Sequence, residues 1–356
     1  MKKSLLALAV LGAFAGAASA QSSVTIWGIV DLSVNSIKNG STTTKQLSSN
    51  QLNSNRLGFR GVEDLGGGMK ASFWLEAAMD NDVGTAGGNN GLGNAAGTST
   101  LFNRRSTVSL SNNFGEIRAG RDYNPSFWNW VYFDVNGTNG LGAGALLGPL
   151  SAASALGSGA GTLIRANNSV SYFLPSGLGG VYGQVQIAAP EGVTGQKYQG
   201  ARLGYAAGPL DVAAAYGVTK IFGTSDFKVW NIGASYDFGM AKLYGLYDRN
   251  SFGTAKQSVY ELSVGVPVGA GEFRASYGHS DMSGTQNVVG GASIAANDSK
   301  LYSLEYVYNL SKRTALYTTY GHISNAGTAA FTVQTAAGSA AGTTSTGYNV
   351  GIRHSF

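Results

Sequence analysis

Residues 346–356 read TGYNVGIRHSF, and the fold turns on how this stretch is read. Side chains alternate along a strand, so Tyr348, Val350, Ile352, His354 and Phe356 share one face. Asn349, Gly351, Arg353 and Ser355 share the other. The first face is apolar apart from His354, and the second is polar. The strand runs to Phe356 with no cap and no following helix. A strand ending in this way is expected to close a barrel by pairing with the first strand, near Val24, so that no edge remains. Arg353 then points into the lumen, and His354 sits at an interface or a subunit contact.

Composition agrees with export and an all-β fold. Lys2 and Lys3, the apolar run Leu5 to Phe14 and the small residues Ala18-Ser19-Ala20 form a secretory signal over 1–20, leaving one domain, 21–356. The apolar run is too short to span a bilayer, and no long apolar run follows it. Cysteine is absent, so no disulfide framework, thiolate metal site or thiol nucleophile is available. Charged residues make up 12%, far below the usual quarter, while glycine (53) and tyrosine (18) are abundant. Two classes remain: a transmembrane β-barrel, or a soluble all-β protein such as an adhesin. The mild basicity forms no tracts, which gives nucleic-acid binding no support.

Alternating segments recur from Gln21 onward, and their connections alternate in length. Short turns are expected at 63–68, 110–115, 174–180, 206–210, 237–240, 266–271 and 309–313. Longer stretches lie near 36–52, 82–100, 123–164, 190–197, 220–226, 250–256, 282–298 and 324–343. Seven turns and eight loops join sixteen antiparallel strands, the pattern of an outer-membrane barrel. The domain divides into about 21 residues per strand and connection, which suits spans of about ten residues. In 69–80, Met69, Phe73 and Leu75 oppose Lys70, Ser72, Trp74 and Glu76; in 298–310, Tyr302, Leu304 and Tyr306 oppose Ser303 and Glu305. Polar faces of this kind suit a wet lumen, since a packed core would leave them unpaired.

The stretch 123–164 departs from the pattern. Its aromatic start, YNPSFWNWVYFD (123–134), can form a short helix near Pro125, and 135–164 contains no charged residue. Long loops in compact proteins are usually functional. The favoured reading is a loop folded into the barrel to narrow it; a surface insertion, or packing on a neighbouring subunit, are the alternatives.

Several motifs resemble the general porins of Gram-negative outer membranes, and most of all their β-proteobacterial branch, some members of which are anion-selective. They are SSVTIWGIVDLSV (22–34), SNRLGFRGVEDLGGGMKASFWLE (54–76), FNRRSTVSLSNNFGEIRAGRD (102–122), IRANNSVSYF (164–173), NLSKRTALY (309–317) and GYNVGIRHSF (347–356). The resemblance implies a sixteen-stranded barrel with an inward-folded third external loop, assembled as a homotrimer. It also implies an aromatic C-terminal residue, here Phe356, that serves as the outer-membrane insertion signal read by the barrel assembly machinery. Partners implied are outer-membrane lipids, lipopolysaccharide and small anionic solutes.

Selectivity needs fixed charge at the narrowest point. Alternation puts Arg56 and Arg60 on the lumen face opposite Leu57 and Phe59. It puts Arg165 with Asn167, Ser169 and Ser171. Arg104 and Arg105 are adjacent, so alternation sends only one inward, and Val108 and Leu110 place Arg104 on the apolar parity. By resemblance, Arg56, Arg104 and Arg165 match the basic cluster of the anion-selective relatives, so which of Arg104 and Arg105 faces the lumen stays open. Glu76 is read as a lumen carboxylate. Asp122 and Asp134 bracket the aromatic part of the loop, where the resemblance implies acidic groups facing the basic wall. An anion about 6 Å from one arginine gains roughly 0.7 kcal/mol at water's dielectric constant, so three give about 2 kcal/mol before screening.

Catalytic readings fail. His279, His322 and His354 have no acid-plus-serine neighbourhood, and His354 and Ser355 point to opposite faces. No cofactor is implied, and no compact His and carboxylate cluster marks a transition-metal site. The expected function is passive diffusion of small hydrophilic solutes with a bias toward anions. Alternatives are a substrate-specific channel for organic acids or phosphate, and a barrel used mainly in adhesion.

Overall fold

The computed structural model describes residues 23–86, 101–286, 291–334 and 336–356. The signal over 1–20, and the 87–100 part of the loop expected at 82–100, lie outside them. In chain order the first strands are β1 (Ser23–Asn39), β2 (Thr42–Ser49), β3 (Arg56–Gly66), β4 (Met69–Asp80), β5 (Thr85–Ala86) and β6 (Arg105–Asn112). Next come β7 (Gly115–Tyr123), β8 (Arg165–Phe173), β9 (Val181–Ala188), β10 (Lys197–Ala207), β11 (Leu210–Lys220) and β12 (Phe227–Asp237). The last are β13 (Lys242–Phe252), β14 (Ala255–Val268), β15 (Gly271–Ser283), β16 (Ser299–Asn309), β17 (Thr314–Asn325) and β18 (Ser345–Ser355).

All pairings are antiparallel, and the sheet closes on itself. β1 pairs with β18 from Ile29↔Ser355 to Asn39↔Ser345. On its other edge β1 pairs first with β3 and then with β2, so β2 and β3 together make one stave. The two-residue β5 only pairs with the last two residues of β4, which leaves sixteen staves. The seam is tied at the last residue: Gly28 N–H donates to the Phe356 carbonyl (3.1 Å) and Phe356 N–H to the Gly28 carbonyl (3.0 Å). A methyl group on Gly28 would stand 2.3 Å from the Phe356 ring, so this close approach requires glycine.

The distribution of side chains separates a membrane barrel from a soluble sandwich. Outward positions carry exposed apolar residues around the wall, such as Leu203, Leu262, Leu304 and Val350 (65% exposed). Inward positions carry Asn35, Gln186, Asn231, Gln257 and Ser280, all nearly inaccessible. This inverts the usual arrangement of a soluble protein, and it fits a lipid-facing exterior around a polar interior. All seven expected turns fall between strands. Of the longer loops, 250–256 shrinks to a turn at Gly253–Thr254, because β13 and β14 pair out to Phe252↔Ala255.

The stretch 36–52 also differs from a simple loop. β1 and β2 form a hairpin through Gly40, and residues 50–55 then leave the wall before β3 resumes. Leu52 packs beside Val307, Ala315 and Tyr317 of β16 and β17, so the excursion turns inward across two neighbouring staves. Asp31 holds it there. The carboxylate accepts from the backbone N–H of Gln51 (3.2 Å), Leu52 (2.9 Å) and Asn53 (2.7 Å) and from the Tyr317 hydroxyl (2.5 Å).

The stretch 123–164 folds into the barrel. Helix α1 (Pro125–Phe133) starts on the Asn124 side chain, which accepts from Phe127 N–H at 2.7 Å, with proline in the first turn. Phe127, Trp130 and Phe133 face the inner wall, joined by Leu141 and Leu147 farther along, and they pack on Ala213, Leu246, Val259, Leu301 and Ile323. Polar bonds fix the rotation: Asn129 donates to Asn231 (2.8 Å) and the Trp130 indole to Asp248 (3.3 Å). A Cβ on Gly233 would lie 2.2 Å from the Phe133 ring, so this glycine makes room for the helix. Each fully buried large apolar side chain contributes about 1.5–3 kcal/mol, which explains why a loop with a single charged residue stays inside.

Candidate functional site

With α1 lying along β9 to β13, the open side of the lumen is the wall built by β3, β4 and β6 to β8. Arg56 starts β3, and its Nη1 lies 3.2 Å from Glu76 Oε1. Arg104 Nε reaches the same oxygen at 2.5 Å, and Arg104 Nη2 donates to the Tyr123 hydroxyl at 3.0 Å. Arg165 Nη2 donates to that hydroxyl from the other side at 2.9 Å, with its guanidinium 4.3 Å from the ring centroid. Arg56, Glu76, Arg104, Tyr123 and Arg165 therefore form one continuous chain along the wall. Three permanent cations and one carboxylate give it two net positive charges.

Both Arg104 and Arg105 turn to the inner side of the wall, where Arg104 is buried between Glu76 and Tyr123. β6 begins at Arg105, whose face it shares with Thr107 and Ser109, as alternation requires. Arg104 lies in a bend before the strand, where alternation does not apply, and its backbone N–H donates to the Glu76 carbonyl at 3.1 Å. Arg165 reaches its place by a related irregularity. Between β7 and β8 the register slips by one residue, with Asn168 at φ 51°, so Arg165 does not continue the alternation of Ser169 and Ser171. Asn167 instead accepts from Arg121 at 2.5 Å.

Glu76 is on the inner face as alternation expects, but Asp122 and Asp134 do not face the basic wall as the resemblance implies. Glu76 belongs to the basic wall itself, also accepting from the Trp74 indole at 3.1 Å. Asp122 is on that wall too, 2.7 Å from Arg118 and 3.6 Å from Arg105. Asp134 alone is on the loop, and it is turned away: its carboxylate accepts from Asn136 N–H (2.8 Å) and Thr138 N–H (3.2 Å), beside Glu261 of β14. Burial pushes this carboxyl up to about 6. Uncharged residues cover the lumen side of α1, with Trp128 stacked on Tyr132 at 5.5 Å between centroids.

Arg60 lies toward the turn end of the wall. With Arg105 it flanks the Trp74 ring, at 5.3 and 4.6 Å respectively. Arg353 is across from Asp31 in the seam, donates to Ser355 Oγ at 3.2 Å, and lines a lumen cavity of about 230 Å³ with Arg274, Leu52 and Asn136. Sequence reasoning missed Arg118, Arg202 and Arg274. Arg118 was findable, since it alternates with Ile117 and Ala119 in GEIRAGRD; Arg202 shares its face with Gly200 and Gly204, which carry little signal. Tyr123, the residue that joins Arg104 to Arg165, had no sequence signal beyond its place in the aromatic run. His354 is outward, with Nδ1 2.9 Å from the Thr314 hydroxyl, and Phe356 is outward beside it.

Comparison with known proteins agrees with this architecture. A family model described as Gram-negative porin matches residues 7–328. Outer membrane porin protein 32 of Delftia acidovorans is 39% identical over 379 residues, covering all of both chains. An outer membrane porin protein of Bordetella pertussis is 32% identical over 424 residues, again over both full lengths. Among solved structures, the anion-selective porin from Comamonas acidovorans superposes with a TM-score of 0.80 at 34% identity, covering 94% of this chain and 100% of that one. OmpT of Vibrio cholerae in its trimer form shares the fold at 16% identity and a TM-score of 0.65, over 94% and 99% of the two chains. A closed sixteen-stranded barrel with a polar interior and relatives matched end to end make this chain a member of the Gram-negative porin family.

Proposed function

We propose that the protein is a passive pore for small hydrophilic solutes and ions that favours anions. One observation carries the reading: the Arg56–Glu76–Arg104–Tyr123–Arg165 chain faces a loop whose single carboxylate, Asp134, is bonded to its own backbone. Arg56, Arg104 and Arg165 would set the field at the constriction, with Glu76 as its internal counter-charge. Arg60 and Arg353 would extend the positive potential toward the turn end. The relative described as anion-selective supports the same sign of preference. Fixed arginines act by electrostatics and need no proton transfer. Liposome swelling with matched small neutral, anionic and cationic solutes tests the proposal. Anions should enter faster than cations, with rates linear in concentration. Rates that saturate would instead favour a specific channel, and absence of swelling would refute a pore.

The protein would be exported by the signal over 1–20, so N-terminal sequencing of the mature chain should begin at Gln21. It would be inserted in the outer membrane among lipids and lipopolysaccharide by the barrel assembly machinery through Phe356, and assembled as a homotrimer.

A further inference from the structure

We infer that residues 50–55 are a second constriction segment, which meets the tip of loop 123–164 and aims Arg56, and that Asp31 is the positioning residue that holds them. This rests on the pore reading above and extends it to residues outside the arginine chain. Between the pairs Ile29↔Arg56 and Leu32↔Ser49, β1 uses two residues (30 and 31) where its partner stave uses six (50–55). A β-bulge needs only one extra residue, so an irregularity of the ladder does not account for this length. Asn50, in the left-handed region at φ 67°, turns the chain out of the wall. Asn55 returns it: its N–H donates to the Asn50 side chain at 2.5 Å and closes the segment at its base. The Asn55 side chain also replaces the missing ladder, accepting from Asp31 N–H (2.5 Å) and donating to the Asp31 carbonyl (3.1 Å).

Three contacts carry the position of this segment to the constriction. The Ser54 hydroxyl donates to Asn139 Oδ1 at 2.6 Å, at the tip of the loop. One residue on, the two backbones run so close that a Cβ on Gly140 would collide with the Gln51 carbonyl. The Ser54 carbonyl accepts from Arg56 Nε at 2.9 Å, while Arg56 Nη1 reaches Glu76. Leu52 fills the space against Val307, Ala315 and Tyr317. With segment and loop tip in contact, the side of the lumen under β16 and β17 is closed and ions are confined to the arginine wall. The segment hangs on one carboxylate. Asp31, inaccessible to solvent, accepts from the successive N–H groups of residues 51 to 53 and from the Tyr317 hydroxyl.

Zero-current potentials and single-channel currents of Asp31→Asn test the inference, because direct charge and positioning predict opposite signs. Removing a negative charge would by electrostatics alone raise the anion-to-cation ratio. Releasing the Arg56 guanidinium from about 6 to about 9 Å from the ion path should instead lower it about twofold. Conductance should rise as the segment leaves the loop tip. Tyr317→Phe keeps the charge and removes one donor, so it should lower the ratio in the same direction by less. In an Arg56→Gln background neither substitution should lower the ratio further. Ser54→Ala, Asn139→Ala and the double variant should raise conductance by the same factor, since each loses the same hydrogen bond.

A raised ratio in Asp31→Asn, a fall that persists in the Arg56→Gln background, or wild-type conductance in Ser54→Ala would each overturn the inference. Tyr317→Phe and Ser54→Ala leave every charge in place, and they decide the question where Asp31→Asn does not assemble. Failure of the pore reading shows separately as absent conductance in wild type, and failure of the anion reading as the sign of the wild-type potential; the positioning role is read from variant-to-wild-type ratios.

Discussion

Two neighbouring side chains of opposite charge offer a paired test of the constriction. Arg56 and Glu76 touch at 3.2 Å, and Arg56 is the most accessible of the three arginines, with a side chain 20% exposed. An ion passing about 6 Å from either charge changes energy by about 0.7 kcal/mol in water. At 0.1 M salt, where the screening length is about 10 Å, this falls to about 0.4 kcal/mol. Anion and cation shift in opposite directions, so one charge alters their permeability ratio by about 0.8 kcal/mol, roughly fourfold. Arg56→Gln should therefore lower the anion-to-cation ratio about fourfold, and Glu76→Gln should raise it by a similar factor. Both substitutions keep a hydrogen-bonding side chain, and Arg104 retains Tyr123 as a partner in each. Zero-current potentials of the reconstituted variants measure both shifts. Shifts of the same sign, or none with the oligomer intact, would refute the reasoning.

Other outcomes follow from the packing. Arg104 is almost fully buried between Glu76 and Tyr123, and breaking a buried ion pair costs about 3–5 kcal/mol, so Arg104→Gln should lower the melting temperature more than Arg56→Gln does. Phe133→Ala removes a fully buried ring under the loop, at a cost of about 3–5 kcal/mol; single-channel records should show noisier and larger currents, and quiet wild-type traces would refute the anchoring role. Asp134 has a raised pKa, so the docked loop favours its protonated form: the docking contribution is full below 3.8 and is lost as pH rises through about 6. Current noise should therefore increase from pH 4 to pH 7 in wild type, and Asp134→Asn should weaken that dependence. Gly28→Val drives a side chain into the Phe356 ring and should slow barrel closure, read as unfolded monomer in a heat-modifiability gel.

The legible parts of the sequence share a physical reason. The terminal strand, 69–80 and 298–310 keep a strict two-residue period because one face meets lipid and the other water, so each substitution is constrained by its face. Loop 123–164 was legible through the missing charge of 135–164, since a segment without ionic groups can lie buried. The inward excursion at 50–55 was hidden, because its polar residues look like an ordinary loop and its anchor, Asp31, is about twenty residues away. Arg104 was misleading for a local reason: strand alternation holds only within a strand, and it precedes one. The carboxylates were harder still. Whether Glu76 opposes or neutralises the arginines depends on which staves are adjacent, and no one-strand pattern carries that information.

The most direct test of the account is the zero-current potential of the purified wild-type oligomer across a planar bilayer, under a tenfold potassium chloride gradient. Two net positive charges on the Arg56–Glu76–Arg104–Tyr123–Arg165 chain, with Asp134 turned aside, predict a potential whose sign shows chloride permeating faster than potassium. A potential of the opposite sign would contradict the account.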